Sequence, residues 1–255
     1  MTVALIDGDI VAFRCAASAE NEPEEIAIHR CDELMRRIIH EVGADSYRNF
    51  LSGANNFRFS VYPAYKANRT APDPKWRAAC KEFLYKEWNA ESQEHYEADD
   101  LLGINQTDDT IICSLDKDLK MIFGNHYSWE FGTAKWNKPA EFKTISHEAG
   151  LKHFYMQLLM GDKTDNVIGI HGIGPKTAMK FLDNCEDEQE MFDTAYDLYD
   201  DPHKFLINGI CLWICQQYGE TWAHILQKSH LTLSDLLKQE VEVKLKSMNC
   251  FTTTT

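Results

Sequence analysis

The chain has 255 residues, 44% hydrophobic and 26% charged, an ordinary globular composition with room for one large domain or a domain and an appendage. No apolar run approaches the roughly 20 residues that span a bilayer, and Asp7, Asp9 and Arg14 interrupt the first fifteen residues, so neither membrane nor secretory leader is expected and the protein is placed in a cytoplasm. A net charge of −14 excludes binding to polyphosphate by overall attraction, leaving local basic patches, or acids whose charge is offset by bound cations, as the routes to nucleic acid.

In chain order, "VALID" (3–7) reads as a buried parallel strand ending on Asp7, the end at which open α/β sheets collect ligands. Residues 24–42 place Ala27, Cys31, Leu34, Met35, Ile38 and Val42 at spacings of three and four, which predicts an amphipathic helix. "YRNFLS" (47–52) predicts a second strand, and 70–96 opens with two prolines before a basic and aromatic helix that projects beyond the sheet. "DDTIICSLDKDL" supplies a third strand over 110–114 with Asp116 and Asp118 just past its end. From 151 the pattern turns helical, and 188–248 lacks strand-like alternation. The expected class is α/β, a mainly parallel sheet flanked by helices over 1–150 followed by a helical region over 151–250. The terminal "FTTTT" reads as a disordered or appended tail. The eight cysteines form no C-x-x-C pair and predict reduced, packed thiols; Cys211 and Cys215, four apart on a predicted helix, read as core rather than as a metal site.

Eight acids fall at expected turns or helix starts in four segments: Asp7; Glu97, Asp99 and Asp100 in "EADD"; Asp116 and Asp118 in "DKD"; Asp162 and Asp165 in "GDKTDN". Any one of them reads first as a helix or turn cap. Brought together, like charges repel by several kcal/mol unless cations neutralise them, and oxygen-only donors favour magnesium or manganese. Two such ions about 4 Å apart activate a water and stabilise a leaving oxygen in phosphodiester hydrolysis. Asp9 stands near enough to join Asp7, but a helix cap is the expected role.

"GIHGIGPKTAMKFL" (169–182) carries Gly169, Gly172 and Gly174, then Pro175 opening a helix with Lys176 in its first turn. It resembles a helix-hairpin-helix, whose backbone N–H groups bind phosphates without reading bases; a plain helix connection is the alternative, and the position directly after "GDKTDN" favours the hairpin. "FRFSVYPAYKANR" (57–69) gathers Arg58, Lys66 and Arg69 with Tyr62 and Tyr65, which suits phosphate contact and base stacking, or a solvated charge run at a sheet edge.

In order, "LIDGD", "FRFSVYPAYKANR", "EADD", "SLDKDL" and "GDKTDNVIGIHGIGPKTA" resemble the successive motifs of the flap endonuclease and 5′→3′ exonuclease family, in particular its bacteriophage and DNA polymerase I-associated branch, over about residues 3–183. The resemblance implies a PIN-like α/β sheet with a helical arch, here about 70–96, and a helix-hairpin-helix region. It implies that Glu97, Asp99, Asp116, Asp118, Asp162 and Asp165 ligate two Mg2+ or Mn2+ ions directly or through water, with Asp7 and Asp100 completing the set. Lys66 would meet the scissile phosphate, Arg69 and Arg58 would steer or hold phosphate, Tyr65 would stack on a displaced base, and Gly172, Gly174 and Lys176 would contact DNA. A potassium ion would sit on the main-chain carbonyls of Val167 and Ile170. The chain departs from the family at Ser52, where an acid usually follows a strand.

The activity so implied is metal-dependent 5′→3′ exonuclease and structure-specific flap cleavage of DNA to 5′-phosphate products in replication or recombination, by a monomer acting on 5′ ends, flaps, nicks and RNA–DNA hybrids. The alternatives are a structure-specific DNA-binding protein impaired in catalysis and a PIN-type ribonuclease.

Overall fold

In the computed structural model, which describes residues 1–133 and 135–248, the chain begins β1 (Val3–Asp7), α1 (Gly8–Ser18), α2 (Glu24–Val42), β2 (Ser46–Phe50), α3 (Arg58–Val61), α4 (Arg77–Glu87), α5 (Ala98–Asn105) and β3 (Thr110–Cys113). A 3-10 turn over Asp118–Met121 leads to β4 (Gly124–Ser128), β5 (Phe131–Thr133), β6 (Trp136–Lys138) and β7 (Glu141–Ile145). There follow α6 (His147–Met160), β8 (Gly161–Asp162), β9 (Val167–Ile168), α7 (Pro175–Leu182), α8 (Glu188–Asp197), α9 (Pro202–Leu212), α10 (Trp222–Lys228) and α11 (Asp235–Met248). Cys250 and the threonine tail lie outside the described residues. The chain divides into two units, Met1–Asn55 with Ala71–Ser146, and Asn56–Thr70 with the residues from His147 onward.

The first unit is built on one sheet in the order β2-β1-β3-β4-β7. The first four strands are parallel and β7 closes the edge antiparallel. β1 lies near the middle because Ala4, Leu5 and Ile6 are apolar on both faces and fully buried. α2 turns Ala27, Cys31, Met35 and Ile38 inward and stops where Gly43 takes a left-handed φ of 60°, a conformation glycine adopts without steric cost. The first strand and the 24–42 helix form as read, while the strands expected over 47–52 and 110–114 run Ser46–Phe50 and Thr110–Cys113, so Leu51, Ser52 and Ser114 lie past the strand ends. β4 and β7 escape a pattern search, since "GNHYS" and "EFKTI" each bury a single side chain, Tyr127 and Ile145.

The segment 70–96 departs from its expected course. α4 lies against α1 and α2 with Cys80 and Leu84 buried, while the Trp76 indole N–H donates to the Glu22 carbonyl at 2.9 Å. Two inward apolar side chains one turn apart draw this helix onto the core instead of letting it project.

The second unit is helical. α9, "PHKFLINGICL", buries eight consecutive residues from Phe205 to Leu212; Phe154 meets Trp213, and Phe205 meets Trp222, edge to face, while Phe154 packs tilted against Trp222. Cys211 lies in the last turn of α9, whereas Cys215 lies beyond its C-cap at Trp213; both side chains are buried, as the core reading expects. Among the described residues no helix is long and apolar enough to cross a membrane.

Gly209 faces the Trp222 ring so closely that an added Cβ would lie 1.9 Å from Cε3. Gly209→Ala gains about 1 kcal/mol of helix propensity, but forcing that ring aside costs about 1–3 kcal/mol. A net loss of stability is expected in urea unfolding, and an unchanged or raised midpoint would contradict this packing.

Candidate active site

The acids of the first unit gather at the C-terminal edge of its parallel strands. Asp7 ends β1 and caps α1, its Oδ1 accepting from the Ile10 N–H at 3.0 Å. Its Oδ2 accepts from the Ser114 hydroxyl, 2.6 Å away, just past β3. The pair straddles the β1–β3 boundary, where the strand order reverses direction. Ser114 Oγ in turn accepts from the Asp116 N–H (3.0 Å), and Asp116 Oδ1 from the Asp118 N–H (2.8 Å), so one chain of short-range bonds sets three of the predicted acids.

Asp7 is only 1% exposed, and its pKa rises to about 7: burial raises it, the Ser114 and Ile10 hydrogen bonds oppose this, and the charges of Asp9 and Asp116 add to the rise. Asp9 does not cap the helix, since Asp7 holds that position. It accepts from the Ser52 N–H at 2.9 Å and pairs with Lys81 at 2.6 Å. Burial pushes the Asp9 carboxyl up, but the Lys81 ammonium brings it below the usual range.

"EADD" starts α5. Glu97 is its N-cap, and Glu97 and Asp100 form a reciprocal capping box in which Asp100 Oδ2 accepts from the Glu97 N–H at 3.0 Å. Asp100 is fully buried and Asp99 half-buried. Ser52, standing where the family pattern has an acid, uses its hydroxyl to accept from the Ala98 N–H at 3.0 Å, tying the exit of β2 to the same helix start.

In the second unit the basic strip meets the "GDKTDN" turn. Asp162, 3% exposed, folds that turn by accepting from the Thr164 and Asp165 N–H groups. Asp165, expected as a metal ligand, is the anion of an internal network. It accepts from the Tyr65 hydroxyl (2.7 Å) and pairs with Arg69 (2.6 Å) and Lys66 (3.6 Å). Lys66 has a φ of 56°, unusual outside glycine, and its N–H donates to the Asp165 carbonyl at 2.9 Å.

Two expected DNA contacts are corrected. Tyr65 is 2% exposed, its ring edge-on to Phe59, so it offers no face to a base. Arg58 is also 2% exposed and donates to the carbonyls of Cys211 (3.0 Å) and Trp213 (2.7 Å), which satisfies the C-terminal end of α9 instead of a phosphate.

α6 and α7 flank the glycine loop. Gly172 has a φ of 80°, Gly174 caps α7 ahead of Pro175, and an added Cβ at either glycine would meet nothing within 4 Å, so both backbones are open. Lys176 is exposed on the first turn. Val167 pairs in the β8–β9 ladder and the Ile170 carbonyl accepts from the Ile173 N–H at 3.2 Å, each carbonyl retaining a second lone pair.

Among the described residues no three His, Cys, Asp or Glu side chains converge closely enough to hold a bare ion. The first unit's donors are all oxygens, Asp7 is buried at the cost of its charge, and both side-chain polar atoms of Asn49, on β2 and 1% exposed, lack hydrogen-bond partners. Oxygen donors of this kind suit a hard divalent cation. Sequence reading missed Ser114 and Asn49; a polar residue near the C-terminal end of an otherwise core-facing strand was the available signal.

No family model matches the chain. It is 32% identical to DNA polymerase I of Rhizobium leguminosarum over 169 residues, 57% of this chain and 15% of that protein. To DNA polymerase I of Bacillus subtilis it is 25% identical over 220 residues, 74% of this chain and 24% of that one. The chain thus spans about a quarter or less of these relatives' length. Among solved structures it shares its fold with the bacteriophage T5 flap endonuclease in a pseudo-enzyme–product complex with DNA and metal ions, at a TM-score of 0.59 and 15% identity over 98% of this chain and all of that one. The T5 5′-exonuclease with bound zinc gives 0.57 and 15% over 97% of this chain and 100% of that one.

The raised Asp7 pKa fixes the sign of a pH effect. Its contribution favours folding below the unfolded value of 3.8 and is lost as pH rises through about 7. In chelator, Asp7→Asn should therefore be more stable than the parent at pH 8, by on the order of a few kcal/mol, with the difference shrinking toward pH 4. Denaturant titrations at the two pH values check this, and a variant less stable at pH 8 would reassign Asp7 to a purely structural role.

Proposed function

We propose, from the resemblance to the flap endonuclease and 5′→3′ exonuclease family that motif order, fold and relatives share, that this protein is a divalent-metal-dependent nuclease. It would cut DNA from 5′ ends and at flaps, leaving 5′-phosphates, with RNA primers as a further substrate. The observation that carries the reading is the acidic edge at the β1–β3 boundary, where buried Asp7 accepts from the Ser114 hydroxyl and Ser114 Oγ accepts from the Asp116 N–H.

Asp7, Glu97, Asp99, Asp100, Asp116 and Asp118 would hold the ions, largely through water. When bound, such ions activate a water and stabilise the leaving oxygen. Lys66 and Arg69 would trade part of their pairing with Asp165 for a substrate phosphate, and Lys66 would stabilise charge that grows as the phosphodiester breaks. Asp162 and Asp165 would position these two cations. The open N–H groups around Gly172 and Gly174, with Lys176, would grip backbone phosphate without reading sequence, and the carbonyls of Val167 and Ile170 would hold a potassium ion there.

Cleavage of a 5′-labelled flap, a nicked duplex and single-stranded RNA, each with magnesium and with chelator, tests the reading. Magnesium-dependent release from the two DNA substrates is expected. Release from the RNA alone would point to a ribonuclease, and binding without release to an inactive DNA-binding protein. Lys66→Ala should lower turnover at least tenfold while changing duplex affinity far less, because its contact strengthens in the transition state. Equal losses in both would remove Lys66 from that role.

A further inference from the structure

The hairpin β5–β6 takes no part in the acidic edge, yet it carries a cation–aromatic arrangement of its own. In its register Phe131 faces Lys138 and Thr133 faces Trp136, which puts these four side chains on one face. Phe131 meets Trp136 edge to face at 5.4 Å and is flanked by two cations, Arg14 at 4.6 Å and Lys138 at 5.7 Å. Trp136 is 57% exposed, so much of its ring faces solvent.

Alongside runs a groove of about 910 Å³ between the hairpin and α1 and α2. Arg14, Arg30, Arg36 and Arg37 line it, half of the eight arginines in a chain of net charge −14. Arg30 pairs with Glu22, Arg36 with Asp32 and Arg37 with Glu41. Arg14 is half-buried and, among the described residues, has neither ion pair nor hydrogen bond; burial without a counter-ion lowers its pKa. A half-buried guanidinium lacking an anion, next to an exposed indole, offers one phosphate contact and one stacking surface.

We propose that this hairpin face and groove bind unpaired nucleic acid, a base stacking on Trp136 while backbone phosphates pair with Arg14 and Lys138. The site adds a second contact for the substrate class of the nuclease reading, on which it rests for the choice of nucleic acid over another anion. β4 is parallel to β1 and β3, so the chain leaves β4 for the hairpin from the same sheet edge that carries Asp7 and Asp116.

The test uses the full chain in chelator with a fluorescein-labelled oligothymidylate of about 15 nucleotides, within the usual span of single-strand sites. Trp136→Ala should weaken binding roughly tenfold, Trp136→Phe should restore most of it, and Arg14→Gln should lower the slope of log affinity against log salt by about one. Magnesium-dependent cutting of a fully paired nicked duplex should be unchanged in all three. Parental affinity in both Trp136→Ala and Arg14→Gln overturns the inference and leaves the nuclease reading standing. Displacement by polyglutamate as readily as by unlabelled oligonucleotide overturns it too, in favour of a general anion surface. Binding that depends on Trp136 in a protein that cuts nothing would sink the nuclease reading and keep this site.

Discussion

A carboxylate buried at the junction of β1 and α1 organises the first unit. Removing the Asp7 charge from water is costly, and the fold offsets that cost with the Ile10 N–H in the first turn of α1 and a hydroxyl carried by the chain leaving β3. Each compensation also fixes geometry. The helix must begin where β1 ends, and the stretch after β3 must pass close enough for Ser114 to reach across. Once Ser114 is placed, Asp116 and Asp118 follow through bonds two residues long. The acidic edge is thus the outcome of satisfying one buried group.

The second unit solves the converse problem. Lys66 and Arg69 are brought to a common anion, Asp165, whose turn is shaped by Asp162, and the left-handed backbone at Lys66 is held by a main-chain bond to the same residue. Asp165 thus gathers both cations on the turn that Asp162 folds. The glycine loop adds backbone donors with no side chain in the way.

Much of this was legible in the sequence because strong signals are local. An apolar run ending in Asp-Gly marked β1 and its functional end, and the spacing of Cys31, Met35 and Ile38 marked α2. The motif order pointed to the fold that the solved T5 structures share. Single side chains were harder to read. Arg58 and Tyr65 sit in a basic, aromatic strip, and nothing local reveals that one satisfies the end of a helix about 150 positions later while the other is sealed beneath Phe59. Of the three acids of "EADD", Glu97 and Asp100 cap α5, a role set by where that helix starts. Ser114 and Asn49 went unnoticed because their importance comes from a neighbouring strand, which pairing brings near and sequence does not.

The path of residues 56–70 carries one more implication. This stretch leaves the first unit, joins the second through the Lys66, Asn68 and Arg69 contacts to residues 163–165, and returns through the exposed positions 70–73. A protease nick at those positions would sever one of the three covalent crossings between the units without touching the bonds that anchor the strip. The amino-terminal fragment would then end in a peptide bound into the other unit, and the two pieces should co-purify as a non-covalent pair.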